Sequence, residues 1–95
     1  LSWSEPAIKD LEAAQRYIER DSQIYARRFI DKIFAALEQV CAFPYAGRQV
    51  PKEHDENIRE ILVYPYRVIY LIEKERIVVW VIVHGARDFK FEKPS

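Results

Sequence analysis

Along the first forty residues, apolar side chains return every three or four positions. Ile8, Leu11, Ala14 and Ile18 are separated by Lys9, Asp10, Glu12, Arg16 and Glu19, a spacing that lines one side of an α-helix. Ser4-Glu5-Pro6 predicts its start, because a serine oxygen accepts from a first-turn amide and a proline there has no amide to leave unpaired. Asp21 and Ser22 interrupt the pattern and can cap a second helix. Along it Ala26, Phe29, Ile33, Leu37 and Val40 form a longer stripe, thickened by Ile30 and Phe34, until Phe43-Pro44 ends it. A break this short makes the two helices antiparallel neighbours, a helical hairpin over about 5–42.

From Phe43 to Asn57 the periodicity vanishes into Pro44, Gly47, Pro51 and a polar run, which reads as a loop over 43–57. A loop of that length is either functional or a plain crossing between layers. Beyond it the residue types turn to β-formers: Ile58 to Val63, Tyr66 to Ile72 and Arg76 to His84, parted by Tyr64-Pro65 and Glu73-Lys74-Glu75. Turns so short make an antiparallel meander over 58–84, followed by a tail, 85–95. The unbroken apolar run Ile77 to Val83 predicts a central strand covered on both faces. Two helices cover only one face, so the tail, a second protein or a second copy should cover the other. Leu1-Ser2-Trp3 reads as the end of a first strand. The fold class is therefore α+β, a βααβββ two-layer sandwich with an antiparallel sheet and an N-terminal helical hairpin on one face, forming one domain over 1–95.

Composition narrows the function. The 95 residues are 49% hydrophobic, enough for a core and against disorder. No stretch is long and apolar enough to span a membrane, and the start lacks a basic segment before an apolar one. With the lone Cys41 this predicts a soluble, cytoplasmic protein. The absence of Met implies that a few residues precede Leu1. Fifteen cations balance fifteen anions, so nothing attracts a polyanion regardless of sequence, and a nucleic-acid role would need a local cluster.

One cysteine and two histidines without ligand spacing predict no metal, and two glycines cannot build a phosphate-cradling loop, so no cofactor is expected. Cys41, in the second helical stripe, reads as core packing. What remains is a set of charges in an apolar sheet, taken as target-binding candidates. Arg67 shares its strand face with Ile69 and Leu71, opposite Tyr66, Val68 and Tyr70, and Arg59 on the adjacent strand can join that face. His84 and Arg87 close the last strand. In the tail, Phe89 and Phe91 flank Lys90, so an extended chain would bury two rings with Arg87 and Lys90 at the rim. Plainer readings stand beside these: a buried ion pair of Arg67 with Glu60, a His84 ring bonded to backbone, a solvated Arg87, and rings that finish the protein's own core.

The succession Trp3-Ser4, Phe43-Pro44 with Gly47-Arg48, Ile58-Arg59-Glu60, Tyr66-Arg67-Val68-Ile69-Tyr70 and Val83-His84-Gly85-Ala86-Arg87-Asp88 resembles the RelE/ParE superfamily of toxins from type II toxin–antitoxin modules, also called plasmid stabilisation proteins. The likeness covers nearly the whole chain and implies the same fold, growth inhibition and a cognate protein antitoxin as partner. RelE-type members are ribosome-dependent ribonucleases that cut messenger RNA. Arg67 and Arg87 match two of their basic positions, and only under that alternative would they be catalytic. The lysines of those enzymes are replaced here by Ile58 and Glu60, and their C-terminal tyrosine has no clear counterpart. The Ile-Arg-Glu strand and the His-Gly-Ala-Arg-Asp ending are more similar to ParE, which implies a non-enzymatic poison of DNA gyrase. The alternatives are a ribonuclease with ribosome and message as partners, and a member of the fold that only binds. A homodimer and a heterotetramer with the antitoxin both stay open.

Overall fold

The computed structural model describes residues 1–51 and 53–85. In chain order the elements are β1 (Ser2–Trp3), α1 (Glu5–Glu19), α2 (Gln23–Ala42), a 3-10 turn (Pro44–Ala46), β2 (Arg48–Gln49), β3 (Ile58–Val63), β4 (Tyr66–Ile72) and β5 (Ile77–His84). Both helices start as the sequence predicts. The Ser4 hydroxyl accepts from the Ala7 amide and the Ser22 hydroxyl from the Tyr25 amide.

The stripe of α2 lies in the core as expected, with Ala26, Phe29, Ile33, Leu37 and Val40 buried. Its predicted thickening is only partial. Phe34 is exposed, its ring tilted against Trp3 at 6.0 Å, and Cys41 is exposed too, contrary to the core packing expected of it. Val40 already occupies the seam, and the next residue is turned about 100° away from it. On α1 the buried line runs through Ala7 and Ala14, whereas Ile8 is exposed. Alanine at those points lets the helix lie close against β5.

The sheet has five strands in the order β1-β5-β4-β3-β2. The β3–β4 and β4–β5 pairs form the antiparallel meander, and β1 joins β5 in parallel, so the sheet is mixed rather than wholly antiparallel. The predicted loop is also more than a loop, because Arg48 and Gln49 pair with Glu60 and Arg59 as an extra edge strand. The middle strand is β4, whose Val68, Ile69, Tyr70 and Leu71 are all buried; β5 lies one place out.

In the β4–β5 ladder Ile69 faces Val81 but Tyr70 faces Val79, so Trp80 is one residue extra. Such a bulge shifts the phase of alternation by one. Val79 and Ile82 thereby pack toward the helices, and Trp80, Val81 and Val83 all lean to the other face. That explains how an unbroken apolar run serves both faces. On the helix side lie Val63, Val68, Val79 and Ile82 with the helical stripes. The second face carries a smaller cluster, Ile58, Ile69 and Leu71, covered in part by Val50 of the long connection. A fully buried side chain of this kind stabilises the fold by about 1.5–3 kcal/mol.

The connection is tied down by β4 and β3. The buried Tyr70 hydroxyl donates to the Pro44 carbonyl at 2.6 Å, and a Cβ at Gly47 would collide with that hydroxyl. At the other end of the meander the Gly85 amide donates to the Pro65 carbonyl at 2.6 Å, a contact that leaves no space for a side chain.

Candidate functional site

The sheet's two edges are finished differently. Beyond the short β1, the edge of β5 is capped by α1. The Ser4 hydroxyl donates to the Trp80 carbonyl, and the Asp10 carboxylate accepts from the Ile82 amide at 2.9 Å. On the opposite edge, β2 covers β3 only at Arg59 and Glu60. The Val50 amide donates to the Ile58 carbonyl, and the Ile72 amide to that of Asn57. These two bonds set the alternation of β3: residues 59, 61 and 63 bond toward β4, and 58, 60 and 62 toward β2. Leu62 therefore aims its backbone amide and carbonyl outward past the end of β2, and its side chain is 67% exposed.

Beside this edge lies a cleft of about 610 Å³. Ala36, Val40 and Phe43 of the α2 end form one wall, and Ile61 and Leu62 of β3 the other. Arg48, Glu60 and Arg67 stand at its polar rim. Glu60 is 4% exposed and lies between the two arginines. Arg48 Nε and Nη2 donate to its Oε1, the former at 2.9 Å, and Arg67 Nη1 donates to its Oε2 at 3.2 Å. One carboxylate shared by two guanidiniums leaves the group with a net charge of one, on a rim where Arg48 is 69% exposed and Arg67 19%. Buried charge is held only where it is paired and hydrogen-bonded, as it is here.

The plainer of the two readings of Arg67, a buried ion pair with Glu60, is thus present. Arg59 does not join them. It faces Tyr70 across the ladder, so it lies on the helix side of the sheet, and its guanidinium donates to the carbonyls of Glu56 and Gly47 and sits over the Tyr45 ring at 5.1 Å. The expectation that it shares a face with Arg67 fails because adjacent residues across an antiparallel ladder obey strict pairing: Leu62 opposes Arg67, and Arg59 is an odd number of places from Leu62. His84 also lies on the helix-side face, at the far end, with its ring edge-on to Tyr66 at 5.4 Å. Arg67, Arg59 and His84 are therefore not one cluster. Arg87, Lys90, Phe89 and Phe91 lie outside the described residues. Arg48 was not among the candidates read from the sequence; its only signal there was its place after Gly47, and its role depends on β2, which a two-residue strand does not announce.

Chemically, the described residues of this rim offer two guanidiniums around one buried carboxylate. Among the described residues, no group of three His, Cys, Asp or Glu side chains could hold a metal ion. No helix of the described residues is long and apolar enough to cross a membrane. An apolar cleft next to an open strand edge is instead the geometry of a protein-binding surface.

No curated protein matches by sequence. Among solved structures the chain is similar to the "Chromosomal ParDE TA system from P. aeruginosa", with a TM-score of 0.69 at 16% identity over 87% of this chain and 91% of that one, a likeness of fold. Residues 1–89 match the family described as "ParE toxin of type II toxin-antitoxin system, parDE". With the helical hairpin, the mixed sheet and nearly the whole length in common, the chain belongs to the ParE toxin family of type II toxin–antitoxin systems.

Proposed function

We propose that this protein inhibits growth by acting on DNA gyrase in the cytoplasm and is neutralised by a cognate protein antitoxin. The observation that carries the choice of target is the state of Glu60. A ribonuclease of the related branch places cations on the scissile phosphate from the strand that here holds Ile58 and Glu60. Ile58 is buried among apolar residues, and Glu60 is an anion spent on Arg48 and Arg67. A phosphate brought to Arg67 would meet that carboxylate, and arginine, which keeps its proton throughout the physiological range, is a poor proton carrier. Inhibition by binding needs neither. Arg67 at the sheet rim and Arg87 in the tail are the proposed contacts to the target, and Arg59 serves to hold the 43–57 connection.

Expression of the chain without its antitoxin should arrest growth, with DNA-damage signalling preceding any arrest of translation. Arg87→Ala should lose toxicity while melting near the parent temperature. Codon-periodic cuts in messenger RNA, absent from an Arg67→Ala variant, would replace gyrase by the ribosome as the target.

A further inference from the structure

We infer that the end of the molecule built from the helical-hairpin tip and the turn between β3 and β4 is the surface that meets the toxin's target, and that it fits a protein face offering apolar side chains beside a carboxylate. The inference rests on the gyrase reading above and adds where the target is met and by what chemistry. Four elements converge there. Phe29 of α2 packs on the Tyr66 ring at 5.1 Å, and Tyr66 meets the His84 ring edge-on at 5.4 Å, so these rings form a base that joins α2, β4 and β5. Tyr17 reaches the base from α1. Burial raises the Tyr66 hydroxyl above its ordinary pKa and the neighbouring Tyr17 hydroxyl raises it further, which sets the two within electrostatic reach. Tyr25 stands one turn before Phe29 on the same side of α2, and Tyr64 is two residues before Tyr66, in the turn. Tyr17, Tyr25 and Tyr64 are all exposed, the last at 84%. Tyrosine rings offer a large contact area with few rotatable bonds to immobilise, and they are among the side chains on which binding energy concentrates in interfaces.

The charges set the partner's chemistry. Arg28 lies over the Tyr25 ring at 5.8 Å, and among the described residues neither it nor Arg20 at the tip forms an ion pair. Arg16 is held by Glu12 at 3.9 Å and Glu19 accepts from Gln15, so the tip carries Arg20, Arg27 and Arg28 against Glu19 and Asp21. A carboxylate on the target would find guanidiniums with unspent donors, and charge-assisted hydrogen bonds of this kind are the strong ones. Two copies meeting by this end would set Arg20 and Arg28 against their like. A nucleic acid would meet Glu19 and Asp21 among the cations, and the chain as a whole, being neutral, adds no attraction for it. The residues already proposed as target contacts leave from the same place: Arg67 follows Tyr66 in β4, and Arg87 is two residues beyond Gly85, whose amide donates to the Pro65 carbonyl.

The test compares variants of the full chain in two assays, growth arrest on expression and inhibition of supercoiling by purified gyrase holoenzyme. Tyr17→Ser, Tyr64→Ser and Arg28→Glu should each relieve growth arrest and raise the inhibitory concentration roughly tenfold or more, as the loss of an interface anchor does, while melting with the parent. Phe34→Ser, which removes an exposed ring further along α2, should leave both readouts unchanged. Should a serine variant melt early, p-benzoylphenylalanine at position 64 keeps an aromatic ring there and should photo-crosslink to a gyrase subunit, whereas the same group at position 34 should not. Variants that arrest growth as the parent does, or crosslinks from position 34 and none from position 64, would overturn the inference. A dimer in sedimentation that these variants dissolve would assign the surface to a second copy, and binding of a single-stranded oligonucleotide that they weaken would assign it to nucleic acid; either would overturn it too. The two readings fail separately. Variants that lose growth arrest while the parent leaves supercoiling untouched would uphold the surface and sink gyrase as the target, and variants that inhibit supercoiling as well as the parent would sink the surface and keep gyrase.

Discussion

Glu60 shows what a single residue contributes when its surroundings are buried. Its carboxylate joins two strands, since Arg48 belongs to β2 and Arg67 to β4. Truncating it would remove the carboxylate that Arg48 and Arg67 share and break a largely buried ion pair, a change that costs about 3 kcal/mol or more. Glu60→Ala should therefore shift the urea midpoint strongly, and exchange of the Arg48 and Gln49 amides should accelerate with it. Tyrosines at the other face give a pH signature. Burial pushes the Tyr70 hydroxyl above its ordinary pKa of 10, with the Gly47 backbone and Arg59 pulling it partly back, and burial raises Tyr66 likewise. The unfolded chain ionises these groups first as pH rises, so the folded state binds more protons above about pH 10 and stability declines there, while below it the contribution is complete. Stability measured by denaturant from pH 8 to 11.5 should fall at the alkaline end, and Tyr70→Phe should flatten that fall while costing roughly 1 kcal/mol at neutral pH for its lost bond to Pro44.

At the level of elements, the helical hairpin and the meander have distinct tasks. The α2 stripe fills the core, and Ile33, which is fully buried, should cost about 3 kcal/mol when cut to alanine, with most of the loss in stability rather than in partner binding. The α1 helix does more than pack, because Asp10 closes the backbone edge of β5. Asp10→Ala should leave the Ile82 amide without its acceptor, lower stability by about 1–2 kcal/mol and speed hydrogen exchange at that amide more than at its neighbours. An unpaired edge invites other chains, so the same variant should also show more concentration-dependent association in sedimentation.

For the whole molecule, electrical neutrality is the property with consequences. Fifteen cations against fifteen anions leave no net charge to draw in a nucleic acid. At physiological salt the free chain should bind duplex DNA or ribosomal RNA no tighter than about 10⁻⁴ to 10⁻⁶ M in a mobility-shift titration, so any action on gyrase must come through protein contacts or the gyrase–DNA complex. The helix-side core secures the fold, and its margin at Ala36 and Ile61 continues into the wall of the cleft beside the β3 edge.

The chain's own patterning was sufficient for the two capped helices, the order of the three long strands and the ending of α2, because each depends on residues within a turn or two of one another. It also offered the pairing of Arg67 with Glu60 as one of two readings, and the register of β3 and β4 brought the two charges onto one face. The rest depended on contacts between segments far apart in sequence. Two residues cannot signal a strand, so β2 became visible only when Arg48 and Gln49 lay beside β3, and Arg48 acquired its role with it. The bulge at Trp80 reset which face each β5 residue meets, something an unbroken apolar run cannot reveal. Arg59 turned to the helix side because register, not the residue type, assigns faces in a ladder. Open and closed edges are likewise properties of what the sheet's neighbours leave uncovered: Asp10 and Ser4 seal one side from more than seventy residues away, and on the other side the two residues of β2 cover β3 only at Arg59 and Glu60.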